Sequence, residues 1–312
     1  MKMLVYGAGV IGTLYAARLQ GQADVTVLSR GSRLEDIQRH GLVLEDVRTG
    51  VRSVTRVTSV GQLLAEDSFD MALVAVRRDQ LSGVMPALAS NNNIPSIMFM
   101  LNNPFGASAL AEVLGSHRVL LGFPGAAGAM EGHVVRYVMI EQQPTARLRT
   151  LLETLRACGF KTRIDDDMDA WLTAHAFFVT SVSGAIYLAG GHCRELSRSP
   201  VLLMLMVDGI RQGFSVMRVL GRPVHPFALK VLFTWMPRAF AVNYWRRFLS
   251  HDIAEFIFAR HACSSSAEMQ MLSADCRLLL AKSGISAPAL ERLYEAIDDY
   301  AKTNKQEVPA AS

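Results

Sequence analysis

The chain has 312 residues, half of them hydrophobic and 19% charged, with a formal net charge of +4. That is a folded composition with room for about two domains and a large core, and it excludes a disordered segment. Lysine and arginine are scattered through periodic segments rather than gathered in blocks, which argues against nucleic acid as a partner. The four cysteines (Cys158, Cys193, Cys263 and Cys276) form no CxxC and no His/Cys ligand spacing, so reduced thiols, a cytoplasmic location and no metal site are expected.

In chain order, MKMLVY (1–6) predicts a buried strand, and a helical period follows over Val10–Gln20. Met1–Gly12 is too short and too broken by glycine for a signal peptide. Further apolar or β-branched runs stand at 24–30 (DVTVLSR), 69–77 (FDMALVAVR), 95–102 (PSIMFMLN), 118–124 (RVLLGFP) and 133–141 (HVVRYVMIE). These runs lack strict alternation, the habit of strands covered on both faces. With helices between them they predict a Rossmann-like α/β domain with a mostly parallel sheet.

After residue 168 the period changes. Segments 171–189, 197–220, 226–236, 239–259, 265–283 and 287–302 predict helices, with ends at Gly221–Pro223, His225–Pro226 and Gly284–Pro288. Segment 201–220 is nearly apolar enough for a membrane span, but Asp208, Arg211 and Arg218 fall within the roughly 20 residues a span needs. A buried helix is expected there, and no membrane. The predicted organisation is a nucleotide-binding domain over 1–168 and an all-α domain over 169–312, frayed in its polar tail beyond Lys302.

Gly7-Ala8-Gly9-Val10-Ile11-Gly12 fits G-x-G-x-x-G between a predicted strand and a predicted helix. The first glycine makes the tight turn, the second admits a pyrophosphate, and the third lets helix and strand pack closely. The helix amino terminus then meets the negative charge. About 20 residues on, where an acidic residue would hold the ribose 2′-hydroxyl, the chain has Ser29-Arg30. A guanidinium pairs with a 2′-phosphate that a carboxylate would repel, so NADP (NADPH) is favoured over NAD. Arg77, ending another strand, is a second phosphate or ribose candidate, or else a solvated strand-end arginine.

Together with SRG after the second strand, VAVRRDQL (74–81), MLNNPFG (100–106), WLTAHAFFVTSVSGAI (171–186) and AEMQML…KSGISAP, this pattern resembles the ketopantoate reductase family. The resemblance spans nearly the whole chain. It implies reduction of a 2-oxo acid by NADPH, with a helical domain of the 6-phosphogluconate dehydrogenase carboxyl-terminal type serving substrate binding and dimerisation. The partners implied are a small-molecule carbonyl substrate and a second copy in a homodimer.

The same resemblance places the family's catalytic lysine on Thr173, and its neighbouring asparagines on Phe177 and Ser181. It places the active-site glutamate on Glu268 and the asparagine beside the nicotinamide on Asn103, with Asn102 competing. The family's serine pair has no clear counterpart in AEFIFAR (254–260). His175, two residues from Thr173, points the other way round a helix and reads as a core histidine. Arg238, Arg246 and Arg247 are alternative cations, or arginines of an ordinary amphipathic helix.

Three readings follow: a reductase of a 2-oxo acid, a non-catalytic NADP(H)-binding sensor, and a reductase of a larger apolar substrate, the last suggested by Phe177.

Overall fold

Strand β1 (Lys2–Tyr6) carries Met3, Leu4 and Val5 with no exposed surface, so both of its faces are covered. It lies in the interior of a sheet in a computed structural model that describes residues 1–139, 143–145 and 149–306. The chain forms two compact units. The first comprises Met1–Leu101 and Gly106–Met168, and the second Asn102–Phe105 and the chain from Asp169 onward.

The remaining strands of the first unit are β2 (Asp24–Leu28), β3 (Leu42–Asp46), β4 (Arg52–Thr55), β5 (Thr58–Val60), β6 (Met71–Val74), β7 (Ile97–Met100), β8 (Val119–Gly122), β9 (Ala126–Glu131), β10 (Val134–Met139), β11 (Gln143–Thr145) and β12 (Thr162–Ile164). Its helices are α1 (Val10–Leu19), α2 (Gly31–His40), α3 (Met85–Ser90), α4 (Ser108–Leu114) and α5 (Arg149–Ala157). The main sheet runs β12-β11-β8-β7-β6-β1-β2-β5, and every pairing is parallel except β11 with β8. This is the parallel α/β sheet expected from the unalternating apolar runs.

A second sheet, β4-β3-β10-β9, was not foreseen. The run at 133–141 was expected in the parallel sheet. Val134–Met139 instead pairs with β3 and β9, and residues 140–141 lie outside the described residues. Its β-branched composition marks a strand but carries no sign of which sheet receives it. The second sheet covers α1: Leu14 packs with Leu44, Ala126, Val135 and Tyr137, while Tyr15, Ala16 and Leu19 join the core of the main sheet. Buried from two sides, α1 needs no polar face.

The second unit is helical: α6 (Met168–Leu188), α7 (Cys193–Arg198), α8 (Pro200–Val219), α9 (Phe227–Lys230), α10 (Arg238–Leu249), α11 (Asp252–Ala254), α12 (Arg260–Ser264), α13 (Ser266–Ser283) and α14 (Pro288–Gln306). Helix α9 continues as a π-helical turn through Trp235, and a second π-turn (Glu255–Ala259) joins α11 to α12. The predicted helix 239–259 is in fact two, because His251 adopts an extended backbone and starts a new element. Helix α14 runs on to Gln306, past Lys302 where fraying was expected, and residues 307–312 lie outside the described residues.

Helices α6 and α8 are each long and apolar enough to cross a membrane. Of the apolar stretch of α6, 89% is buried in the protein, and of that of α8, 50%. Helix α6 is the centre of the packing. Gly213 of α8 lies so close to it that an added Cβ would stand 2.7 Å from the Phe177 side chain.

Phe177 and Ser181 therefore differ from expectation. They do not form a substrate-facing stripe: both have no exposed surface, Phe177 fills the space Gly213 leaves, and Ser181 Oγ donates back to the Phe177 carbonyl at 2.7 Å. The inference of a larger apolar substrate loses its basis. Replacing Gly213 by alanine should destabilise the protein by about 1–3 kcal/mol through overpacking. The penalty should shrink in a Phe177→Leu background, and a double-mutant cycle by urea denaturation measures that coupling.

Candidate active site

In the first unit, β1 ends at Tyr6 and the chain turns at Gly7, whose φ of +99° a side chain would strain. A Cβ on Gly7 would also stand 2.7 Å from the Ala75 carbonyl oxygen, and one on Gly12 would stand 1.8 Å from the carbonyl oxygen of Gly7 itself. Gly9, which caps α1, has nothing within 4 Å of the same construction. Two glycines are thus demanded by the protein's own packing, while the third opens to free space. Ala8 is buried, and Val10 and Ile11 start α1, which has no acidic residue in its first turn. A helix amino terminus of that kind, with bare backbone before it, suits the pyrophosphate of a dinucleotide.

Arg33 is the residue the sequence reading missed here. Its Nε donates to the Ala8 carbonyl and its Nη2 to Thr13 Oγ1, each at 3.0 Å, while the Thr13 hydroxyl donates to the same carbonyl. One guanidinium thereby clamps the second residue of the glycine turn to the first turn of α1. Burial lowers its pKa, but an arginine keeps its charge throughout the physiological range. The available signal was spacing: Arg33 is three residues after Arg30 and lies in the first turn of α2.

Ser29 is buried, and its amide completes the edge of the sheet by donating to Val60. Arg30 caps α2 and is exposed, with Nη2 donating to the Tyr6 hydroxyl at 3.1 Å. Arg77 is tied bidentately to Asp79, with both bonds at 2.9 Å. Its charge is largely matched within the protein, whereas among the described residues Arg30 bonds to a neutral phenol and pairs with no carboxylate.

In the second unit the structure joins Asn102 to Glu268, and Thr173 to Pro104 two residues further along the same segment. Glu268, in the first turn of α13, is 3% exposed and accepts a hydrogen bond from Asn102 Nδ2 at 3.0 Å. The carboxylate fixes the orientation of that amide. It leaves Asn102 Oδ1 buried and with no hydrogen-bond partner among the described residues. Asn103 is equally buried, but the amide bonded to Glu268 belongs to Asn102.

Thr173 is fully buried on α6, with its hydroxyl 2.8 Å from the Asp169 carbonyl and 2.9 Å from that of Pro104. It accepts from Arg222 Nη1 at 2.8 Å, and the same nitrogen donates to Pro104 at 3.1 Å. Arg222 is a second residue that went unnoticed, although its signal was present: the Gly-Arg-Pro following α8.

The alternative cations fall elsewhere. His175 stacks on Trp171 at 5.0 Å and burial pushes its pKa down to about 3, so it is neutral near pH 7. Arg238 pairs with Asp208, while Arg246 and Arg247 are exposed on α10. Among the described residues, no cluster of histidine, cysteine or carboxylates is arranged to hold a metal ion.

This architecture, a Rossmann-like parallel sheet followed by a helical unit, is that of the ketopantoate reductase fold. Residues 3–145 match the family model described as Ketopantoate reductase PanE/ApbA. A 2-dehydropantoate 2-reductase of Mesorhizobium japonicum is 25% identical over 260 residues, which cover 71% of this chain and 79% of that protein. A PanE/ApbA family ketopantoate reductase from Ralstonia eutropha superposes with a TM-score of 0.79 at 18% identity, covering 98% of this chain and 100% of that one. D-mandelate dehydrogenase, solved with NADH and anilino(oxo)acetate, also gives 0.79, at 14% identity and 98% and 99% coverage.

The glycine geometry separates two kinds of substitution. Gly9→Val should leave the fold intact and abolish dinucleotide binding, whereas Gly12→Ala should unfold or strongly destabilise the first unit. Circular dichroism melts paired with NADPH titration check both. His175 supplies a pH test. The unfolded chain takes up its proton near pH 6.5 and the native protein only near 3, so stability falls as pH drops through that window. The slope from one proton is at most about 1.4 kcal/mol per pH unit. His175→Phe keeps the stack on Trp171 and should flatten the decline in urea-measured stability between pH 6.5 and 4.5.

Proposed function

We propose that this protein is a member of the ketopantoate reductase family that reduces the carbonyl of a 2-oxo acid or a related small molecule, with NADPH preferred to NADH. The observation that carries the reading is the glycine turn. It is filled by the protein at Gly7 and Gly12 and open at Gly9, directly before an α1 terminus free of acidic residues. A glycine turn serving packing alone would not need its middle position open.

On this reading the amides at the start of α1 hold the pyrophosphate, and Arg33 keeps the Ala8 carbonyl in place beneath it. Arg30 takes the 2′-phosphate, giving up a bond to a neutral phenol for one to a dianion. When bound, the reduced nicotinamide supplies the hydride that turns the carbonyl into an alcohol. The second unit orients the substrate. Glu268 accepts from a hydroxyl or amide, and the orphaned Asn102 Oδ1 accepts a second donor. Filling that oxygen's vacancy on ligand binding recovers a desolvation penalty of about 1–3 kcal/mol.

The test is direct titration followed by turnover. NADPH should bind at least tenfold more tightly than NADH, about 1.4 kcal/mol, and Arg30→Ala should narrow that gap. Oxidation of NADPH, followed at 340 nm across a panel of 2-oxo acids, should identify a substrate, and Glu268→Gln should slow its turnover in a protein that still melts normally. Failure of the wild type to bind either dinucleotide would overturn the reading.

A further inference from the structure

We infer that Arg222 is the substrate's carboxylate anchor: a guanidinium held in place by neutral oxygens, with the remainder of its fork available to a small organic acid. This inference rests on the reductase reading above and names the residue that selects an acid over other carbonyl compounds.

The backbone at Arg222 is fixed before its side chain makes any bond. Helix α8 ends at Val219 and is capped by Leu220, and Gly221 turns the chain with φ +70°. Its amide donates to Arg218, and the amide of Arg222 reaches back to the Met217 carbonyl at 2.8 Å. That closure is the left-handed helix end that glycine favours. Pro223 then restricts Arg222 to an extended conformation. The Gly-Arg-Pro sequence therefore presents the arginine from a rigid corner.

The side chain is equally constrained, but only through one nitrogen. Nη1 donates both of its hydrogens, to Thr173 Oγ1 and to the Pro104 carbonyl. The Thr173 hydroxyl has a single proton to share between the carbonyls of Asp169 and Pro104, so the arginine supplies the donor that the threonine lacks. Nε and Nη2 make no hydrogen bond among the described residues, and no carboxylate there pairs with this guanidinium. Carboxylates neutralise Arg194 (Asp252), Arg238 (Asp208) and Arg277 (Glu291 and Asp298), while Arg211 and Arg218 donate to the Met236 carbonyl and to Ser215 Oγ. Arg222 differs from these two in standing against the Asn102–Phe105 segment.

Location points the same way. The Pro104 carbonyl that Arg222 holds is two residues from Asn102, whose amide bonds Glu268 and whose oxygen is orphaned. One four-residue segment, Asn102–Phe105, thus carries the unsatisfied acceptor and the carbonyl that holds a half-buried cation with no carboxylate partner among the described residues. A carboxylate accepts two parallel N–H bonds from a guanidinium fork, and Nε with Nη2 is such a pair.

The test uses oxamate, which carries a carboxylate beside a carbonyl and does not accept hydride, and its uncharged counterpart ethyl oxamate. Each is titrated calorimetrically into protein saturated with NADPH. Saturation itself establishes the dinucleotide reading, so failure at that step is distinguishable from failure of this inference. Wild type should bind oxamate at least tenfold more tightly than Arg222→Gln does, with Arg222→Lys in between. Ethyl oxamate should not distinguish the three proteins. Thermal melts confirm that each variant folds, and the lysine variant keeps the test open should glutamine destabilise the loop. Absence of oxamate binding to the wild type, equal affinity in all three proteins, or a matching loss for acid and ester would overturn the assignment.

Discussion

Helix α1 begins where it does because position 12 has no side chain. Any Cβ there would lie inside van der Waals contact of the Gly7 carbonyl, so the first turn of the helix rests directly on the end of β1. That approach aims the free amides of the helix past Gly9. Burial of α1 from both sides then makes the position rigid. The main sheet holds Tyr15, Ala16 and Leu19, and the second sheet holds Leu14. A ligand meeting this turn encounters amides that are already oriented, so little ordering entropy is lost on binding.

The helical unit meets a different constraint. Its central helix, α6, is so apolar and so enclosed that every polar group on it must be satisfied internally. Thr180 and Ser181 achieve this by bonding back to carbonyls of their own helix. Thr173 has a further acceptor in reach, the Pro104 carbonyl, and the single hydroxyl proton leaves the set one donor short. Arg222 completes it. A lysine at 173 would bring its own charge to this place. With threonine there, the charge comes from the end of α8, and the helix keeps a side chain small enough to bury.

In the first unit the place and shape of the glycine turn were legible, because spacing, flanking strand and flanking helix all specify one geometry, but its clamp by Arg33 from α2 was not. The parallel sheet followed from runs buried on both faces. The second sheet did not, since pairing partners such as β3 and β10 lie some ninety residues apart and β-branched composition marks a strand without naming its partner. Helix 239–259 read as continuous because its break at His251 uses neither glycine nor proline. The stripe 173, 177 and 181 was legible as one face, but periodicity does not say whether a face meets ligand or another helix. Gly213, on a different helix, decides that for Phe177.

The arginines show how charge is allotted between stability and binding. A guanidinium paired with a carboxylate at the surface, as in Arg77 with Asp79, contributes between nothing and about 1 kcal/mol and presents little net charge outward. One held by neutral oxygens keeps its field. Neutral partners alone do not mark a ligand site, since Arg118 spends its donors on the Asn91 and Ile94 carbonyls in a buried crossing. Arg118 commits both Nε and Nη2, whereas Arg30 and Arg222 are each held through a single nitrogen, on Tyr6 and on Thr173 with Pro104 respectively. Being anchored at one corner restricts the side chain's rotamers beforehand, and leaving the rest of the fork unpaired preserves its affinity for an anion. On the proposed function two anions need recognition, a dinucleotide phosphate and a substrate carboxylate, and Arg30 and Arg222 supply one such guanidinium in each unit.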